Sequence, residues 1–131
     1  MFDKVEYWLD LCNDDLRAAK NLFISKDYLW MGFICHQIIE KALKAAIVFK
    51  LNDIPPKDHR LLKLSALANL DDDLSEEQIL FLSRLSPFQI EARYPSYKEK
   101  INAILTENYC AELLKETEEF LCWIKTRLMK L

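Results

Sequence analysis

Glycine is almost missing from this chain, with Gly32 the only one in 131 residues. That excludes glycine-rich phosphate loops, dinucleotide fingerprints and hairpins built on glycine turns, and with them the Rossmann and P-loop readings. Paired cysteines are missing as well. Cys12, Cys35, Cys110 and Cys122 are far apart, form no CxxC and each sit in an apolar-periodic segment. This predicts buried free thiols in a reducing compartment and no zinc site. No apolar run reaches about eighteen uninterrupted residues, so no membrane span is predicted. The opening MFDKVEYWLD is acidic where a secretory leader needs basic residues and then an unbroken apolar core, and a cytoplasmic location is expected. A basic excess is also absent, with 18 Lys and Arg against 21 Asp and Glu. A general duplex-binding protein is basic overall, so any anion site here should be local and small.

What the chain has in quantity is helical periodicity. Tyr28 to Lys50 is its densest apolar run and is read as a central helix. At helical spacing His36, Gln37, Glu40, Lys41 and Lys44 share one arc, while Leu29, Phe33, Ile34, Ile38, Ile39, Leu43, Ala46 and Phe49 cover most of the rest. An apolar zone that wide needs neighbours on two sides and leaves the polar arc to water, a groove or a partner. Val5 to Phe23 is a clear amphipathic helix, and the short link Ser25-Lys26-Asp27 predicts an antiparallel hairpin between these two. Pro55-Pro56 stops the central helix, and Asp58 can cap a third over about His59 to Leu70. Ser75-Glu76-Glu77-Gln78 is a capping box, with Leu74 and Ile79 placed as a hydrophobic staple. Pro87 breaks the helix that follows, Pro95 ends the next segment, and Thr106 caps a last helix with a stripe from Tyr109 to Leu131. No strand pattern or internal repeat is present. The expected architecture is one domain over residues 1–131, an all-α, up-and-down antiparallel bundle of about five helices.

Six basic residues, Lys41, Lys44, Lys50, Lys57, Arg60 and Lys63, face only Asp53 and Asp58 in the same stretch, so that region reads as locally positive. His36, Glu40 and Lys44 recur at four-residue steps and line one helix face. Two ligands on one helix need partners elsewhere and His59 is the only other histidine, so neither metal nor cofactor is expected. The bland reading of Glu40 and Lys44 is an exposed ion pair. His59 either satisfies local hydrogen bonds at a helix start or belongs to an anion site. Arg93 offers a planar, permanently charged fork suited to phosphate, against an ion pair with Glu91 as the alternative. No nucleophile elbow, HExxH or Ser/Cys with a nearby histidine announces an enzyme.

The succession FICHQIIEKALKAAI, PPKDHRLLKL, EARYPSYKEKI and TENYCAELLKETEEFLCWIK resembles the HEPN (higher eukaryotes and prokaryotes nucleotide-binding) domain family across nearly the whole chain. The resemblance rests on Glu40 to Ala45, His59 to Leu61 and Arg93-Tyr94-Pro95. It implies an all-α bundle, frequent dimerisation, and pairing with a minimal nucleotidyltransferase in toxin–antitoxin-type systems. Many members are metal-independent ribonucleases with an arginine followed, after four to six intervening residues, by a histidine. This chain departs from that motif: the positions after Arg93 hold Lys98, Glu99 and Lys100. Lysine does not titrate in the range that general acid/base work needs, so only His36 or His59 could substitute. The expected function is therefore nucleotide or RNA binding through Arg93 with Lys44, Lys41 and His59, and with Tyr94 or Tyr97 stacking on a base. The alternatives are a ribonuclease toxin with a displaced histidine and a structural partner subunit.

Overall fold

The computed structural model describes residues 2–91 and 102–129. Its helices are α1 (Phe2–Ile24), α2 (Tyr28–Leu51), α3 (Leu61–Leu67), α4 (Glu76–Leu85), α5 (Phe88–Glu91) and α6 (Glu107–Met129). No strand occurs among the described residues. The architecture is the all-α up-and-down bundle that the periodicity predicts.

The α1–α2 hairpin closes through Lys26 in the left-handed region (φ 64°), where the N–H of Asp27 reaches the carbonyl of Leu22 at 2.9 Å. The helices then run antiparallel. Cys12 donates through Sγ to the carbonyl of Ile38 at 3.4 Å, and Lys41 bonds Asp15. Tertiary packing gives α2 its stability: fifteen of its 24 residues are buried, far more than one amphipathic stripe allows. Its second large neighbour is α6. Ala46 and Phe49 meet Ile124 and Leu128 at one end, while Cys35 faces Thr117, so these two helices run parallel. Lys20 to Glu118 and Lys125 to Asn13 tie α1 to α6 in the opposite sense. Val5, Cys12, Ile38, Leu43, Leu64, Leu82, Leu113 and Ile124 belong to one continuous core.

The helix starts follow the predicted chemistry. Ser75 accepts from the N–H of Gln78, whose side chain accepts from the N–H of Ser75, the reciprocal capping box. Thr106 Oγ1 accepts from the N–H of Tyr109 at 3.1 Å. The staple is half formed, since Leu74 packs on the core while Ile79 is exposed. Helix α4 ends before Pro87 and the chain restarts as α5.

Three expectations are corrected. The third helix is shorter than predicted at both ends: Asn69 in the left-handed region (φ 58°) ends it after Leu67, and at its start Asp58 accepts from the N–H and guanidinium of Arg60. That holds Arg60 extended as the N-cap and delays the helix to Leu61. Cys122 is exposed whereas Cys12, Cys35 and Cys110 are buried; one residue beyond Leu121, it is rotated about 100° off the stripe of α6. The polar arc of α2 is not open to water, because His36, Glu40 and Lys44 are buried.

The only glycine sits at a point of close approach. A Cβ on Gly32 would lie 2.2 Å from the ring of Phe88, so α5 can sit on α2 only where a side chain is missing.

Candidate functional site

Gly32, His36, Glu40 and Lys44 follow each other at steps of four along α2, so they form one stripe on its surface. Phe88 covers the first of them. The stretch before α3 covers the third: His59 Nδ1 stands 3.0 and 3.1 Å from the two oxygens of Glu40. Lys44 Nζ donates to Glu40 Oε2 at 3.0 Å. A carboxylate only 4% exposed is thus held by an ammonium of its own helix and an imidazole from the loop after the two prolines. Removing that carboxylate from water is costly, and the two close donors offset the cost.

The histidines differ sharply. His36 is fully buried, and neither ring nitrogen has a hydrogen-bond partner among the described residues. Its Nδ1 is 3.7 Å from Glu40, beyond hydrogen-bond range. Burial pushes its pKa down to about 4 against the opposing pull of Glu40, so the ring is neutral at physiological pH. The side chain of His59 is 53% exposed. With Nδ1 turned to Glu40, its other nitrogen is the one left for a ligand. This is the arrangement in which a carboxylate orients a histidine and sets its tautomer.

The remaining predicted residues divide. Lys41 bonds Asp15 on α1 and does not join the Glu40 group. Lys44 does join it but is largely buried, so its ammonium serves Glu40. Arg93, Tyr94 and Tyr97 lie outside the described residues, as do Lys98, Glu99 and Lys100. The positive stretch is substantially compensated from within: Asp58 takes Arg60 at 2.9 Å and Lys63 at 3.4 Å. The Arg60 guanidinium holds the Asp58 carboxyl well below the ordinary range. The part that residue spacing does not reveal is Glu40 as the hub joining His59 to Lys44. Its signal was the four-residue spacing with a histidine shortly after a double proline, but nothing local says that the loop folds back onto α2. Among the described residues no group of three or more His, Cys, Asp or Glu is arranged to hold a metal.

An all-α up-and-down bundle with a carboxylate–histidine–lysine cluster on its central helix is the class of protein that the fold and this site define. The profile of the HEPN domain matches residues 5–127, and the chain belongs to the HEPN domain family. A search of curated proteins gives no match. Among solved structures it is similar to the crystal structure of TT1696 from Thermus thermophilus, with a TM-score of 0.79 and 23% identity. That alignment covers 94% of this chain and 97% of the other, and at such identity it speaks for the fold. No helix of the described residues is long and apolar enough to cross a membrane.

Proposed function

We propose that this HEPN-domain protein binds a nucleotide or an RNA phosphate group and works, as a homodimer, with a minimal nucleotidyltransferase-like partner in a toxin–antitoxin-type pair. The observation that carries the reading is His59, half-exposed and braced by a buried carboxylate, with the exposed Lys57 two positions before it. An imidazole whose Nδ1–H is fixed on the carboxylate presents Nε2 at a set angle, and in its imidazolium form the Nε2–H donates to a phosphate oxygen. Arg93 supplies the guanidinium fork, five positions beyond Phe88 in the chain. Tyr94 and Tyr97 supply rings on which a base can stack. Lys44 acts from beneath by fixing Glu40, and Lys41 by fixing α2 against α1.

A second reading, metal-independent RNA cleavage, has an observation of its own. Of the two histidines that could replace the missing one, His36 is enclosed and neutral while His59 is accessible and oriented. His59 would take the proton of the 2′-hydroxyl as that oxygen attacks phosphorus and the P–O5′ bond breaks, and the proton would pass on to the leaving 5′-oxygen, giving a 2′,3′-cyclic phosphate and a 5′-hydroxyl. Arg93 would stabilise the charge gathering on the phosphorane.

The test is incubation of purified protein with mixed RNA in the presence of chelator, following binding and cleavage together, with Arg93→Ala and His59→Ala as controls. Binding without cleavage that weakens by about tenfold or more in Arg93→Ala supports the first reading. Cleavage lost in both variants supports the second. Neither binding nor cleavage, with co-purification of a nucleotidyltransferase-like partner, leaves a structural partner subunit.

A further inference from the structure

Between α2 and α3 the chain crosses residues 53–59 with no backbone–backbone hydrogen bond among the described residues. Most of that stretch is exposed, Ile54 to 84%. Its other side-chain bonds are local: Asp53 accepts from the N–H of Ile54 at 2.7 Å, and Asp58 reaches forward to Arg60 and Lys63. Among the described residues, only His59 on Glu40 ties it back to α2 by a hydrogen bond. Its first half is not packed down either. A hollow of about 350 Å³ has Tyr7, Trp8 and Val48 of the two long helices on one side and Ile54 and Pro55 on the other.

What the stretch covers is polar. The backbone of His59 lies beside the His36 ring, which is fully buried with both nitrogens unbonded among the described residues. One turn on, Glu40 is enclosed under the His59 ring. A buried nitrogen without a partner carries a desolvation cost that water removes as soon as it is admitted. The closed arrangement is therefore held by one tether and opposed by the group beneath it. Both ends of the stretch suit a hinge. Asn52 caps α2 in the left-handed region (φ 51°), and Arg60 caps α3 in an extended conformation (ψ 110°). Such element-terminal residues absorb dihedral changes, while Pro55-Pro56 stiffens the chain between them. Leu61 and Leu64 are fully buried, which keeps α3 in the core when the stretch moves.

We propose that residues 53–59 form a strap that opens and closes as a unit over the His36–Glu40 face of α2, so that His59 is held ready for a phosphate group only in the closed state. The phosphate part rests on the anion-site reading of His59. A ligand that meets the braced ring favours the closed state, because it binds that state better than the open one. The strap thus couples occupancy of the site to the enclosure of His36.

The experiment follows deuterium exchange at the ring Cε1–H of His36 in the intact protein by mass spectrometry, against global unfolding by circular dichroism in urea. The expected result is His36 exchange that changes little in urea below the unfolding transition, whereas exchange through global unfolding rises steeply. His59→Ala, which cuts the tether, should speed it about tenfold. Pro55→Gly/Pro56→Gly, which gives the open strap more freedom, should also speed it, and stands in if His59→Ala does not fold. Adenosine monophosphate should slow the exchange several-fold in the wild type and not in His59→Ala, with adenosine as the control. Exchange at His36 that tracks global unfolding, or that the folded variants leave unchanged, would overturn the strap. An opening strap that adenosine monophosphate does not slow would instead overturn the phosphate reading of His59.

Discussion

Two polar regions of this molecule solve the same problem in opposite ways. On α2 a carboxylate is almost fully enclosed, and the chain provides its partners, the Lys44 ammonium from the same helix and the His59 ring from the loop. Between α4 and α6 several carboxylates stand at an open groove, and the chain pairs only those near its ends. Enclosed charge must be compensated internally because water cannot reach it, whereas open charge is solvated and remains available. The first region is thus tied to the stability of the fold, and the second stays solvated.

The largest expected effect is at Glu40. Glu40→Ala leaves Lys44 with neither its carboxylate nor ready access to water, and should cost about 3–5 kcal/mol in denaturant unfolding. Glu40→Met with Lys44→Met should cost clearly less than the two single changes summed, since no uncompensated charge remains. Additive losses would break the contrast between the regions.

Next comes pH. His36 has its pKa lowered in the folded state to about 4 from 6.5, so between those values the unfolded chain binds more protons than the native one. Stability is complete above the unfolded value and declines as pH falls from about 6.5 to 4, by about 2–3 kcal/mol in total. Comparing urea unfolding at the two ends of that window in the wild type and in His36→Leu should show most of the slope gone from the variant. An unchanged slope would place the acid sensitivity elsewhere.

The smallest effect is expected at the groove. Neutralising Glu77, Glu112 and Glu119, all away from the core, should move the unfolding free energy by no more than about 0.5 kcal/mol per site. A large loss would show that these carboxylates also support the fold, and would sharpen the comparison in the other direction.

How far the residues foretold this structure depends on the range of the interaction involved. The α2 boundaries, the capping box at Ser75 and the Thr106 cap all agree with the chain pattern, because caps and breaks act over three or four residues. Local logic failed at His59, where an Asp58–Arg60 side-chain bond outcompeted an early helix start. It failed again on the arc of α2: spacing put His36, Glu40 and Lys44 on one face, but not what that face would meet. Lys41 and Lys44, three residues apart, serve different neighbours, which periodicity cannot distinguish when both sit on one polar arc. The groove was visible only as a scatter of acidic residues in the 71–77 turn and the last helix.

The sequence by itself determined that this is an all-α bundle whose central helix is buried on several sides, since apolar periodicity, helix caps and proline breaks are local properties. It also determined that His36 and His59 are the only imidazoles the chain has to offer. Only the tertiary structure decided which of them a ligand can reach. The 52–60 stretch lays His59 on Glu40 and leaves it half-exposed, while packing around α2 encloses His36. Burial and long-range pairing depend on what the rest of the chain brings to a residue, and residue spacing alone carries no record of that.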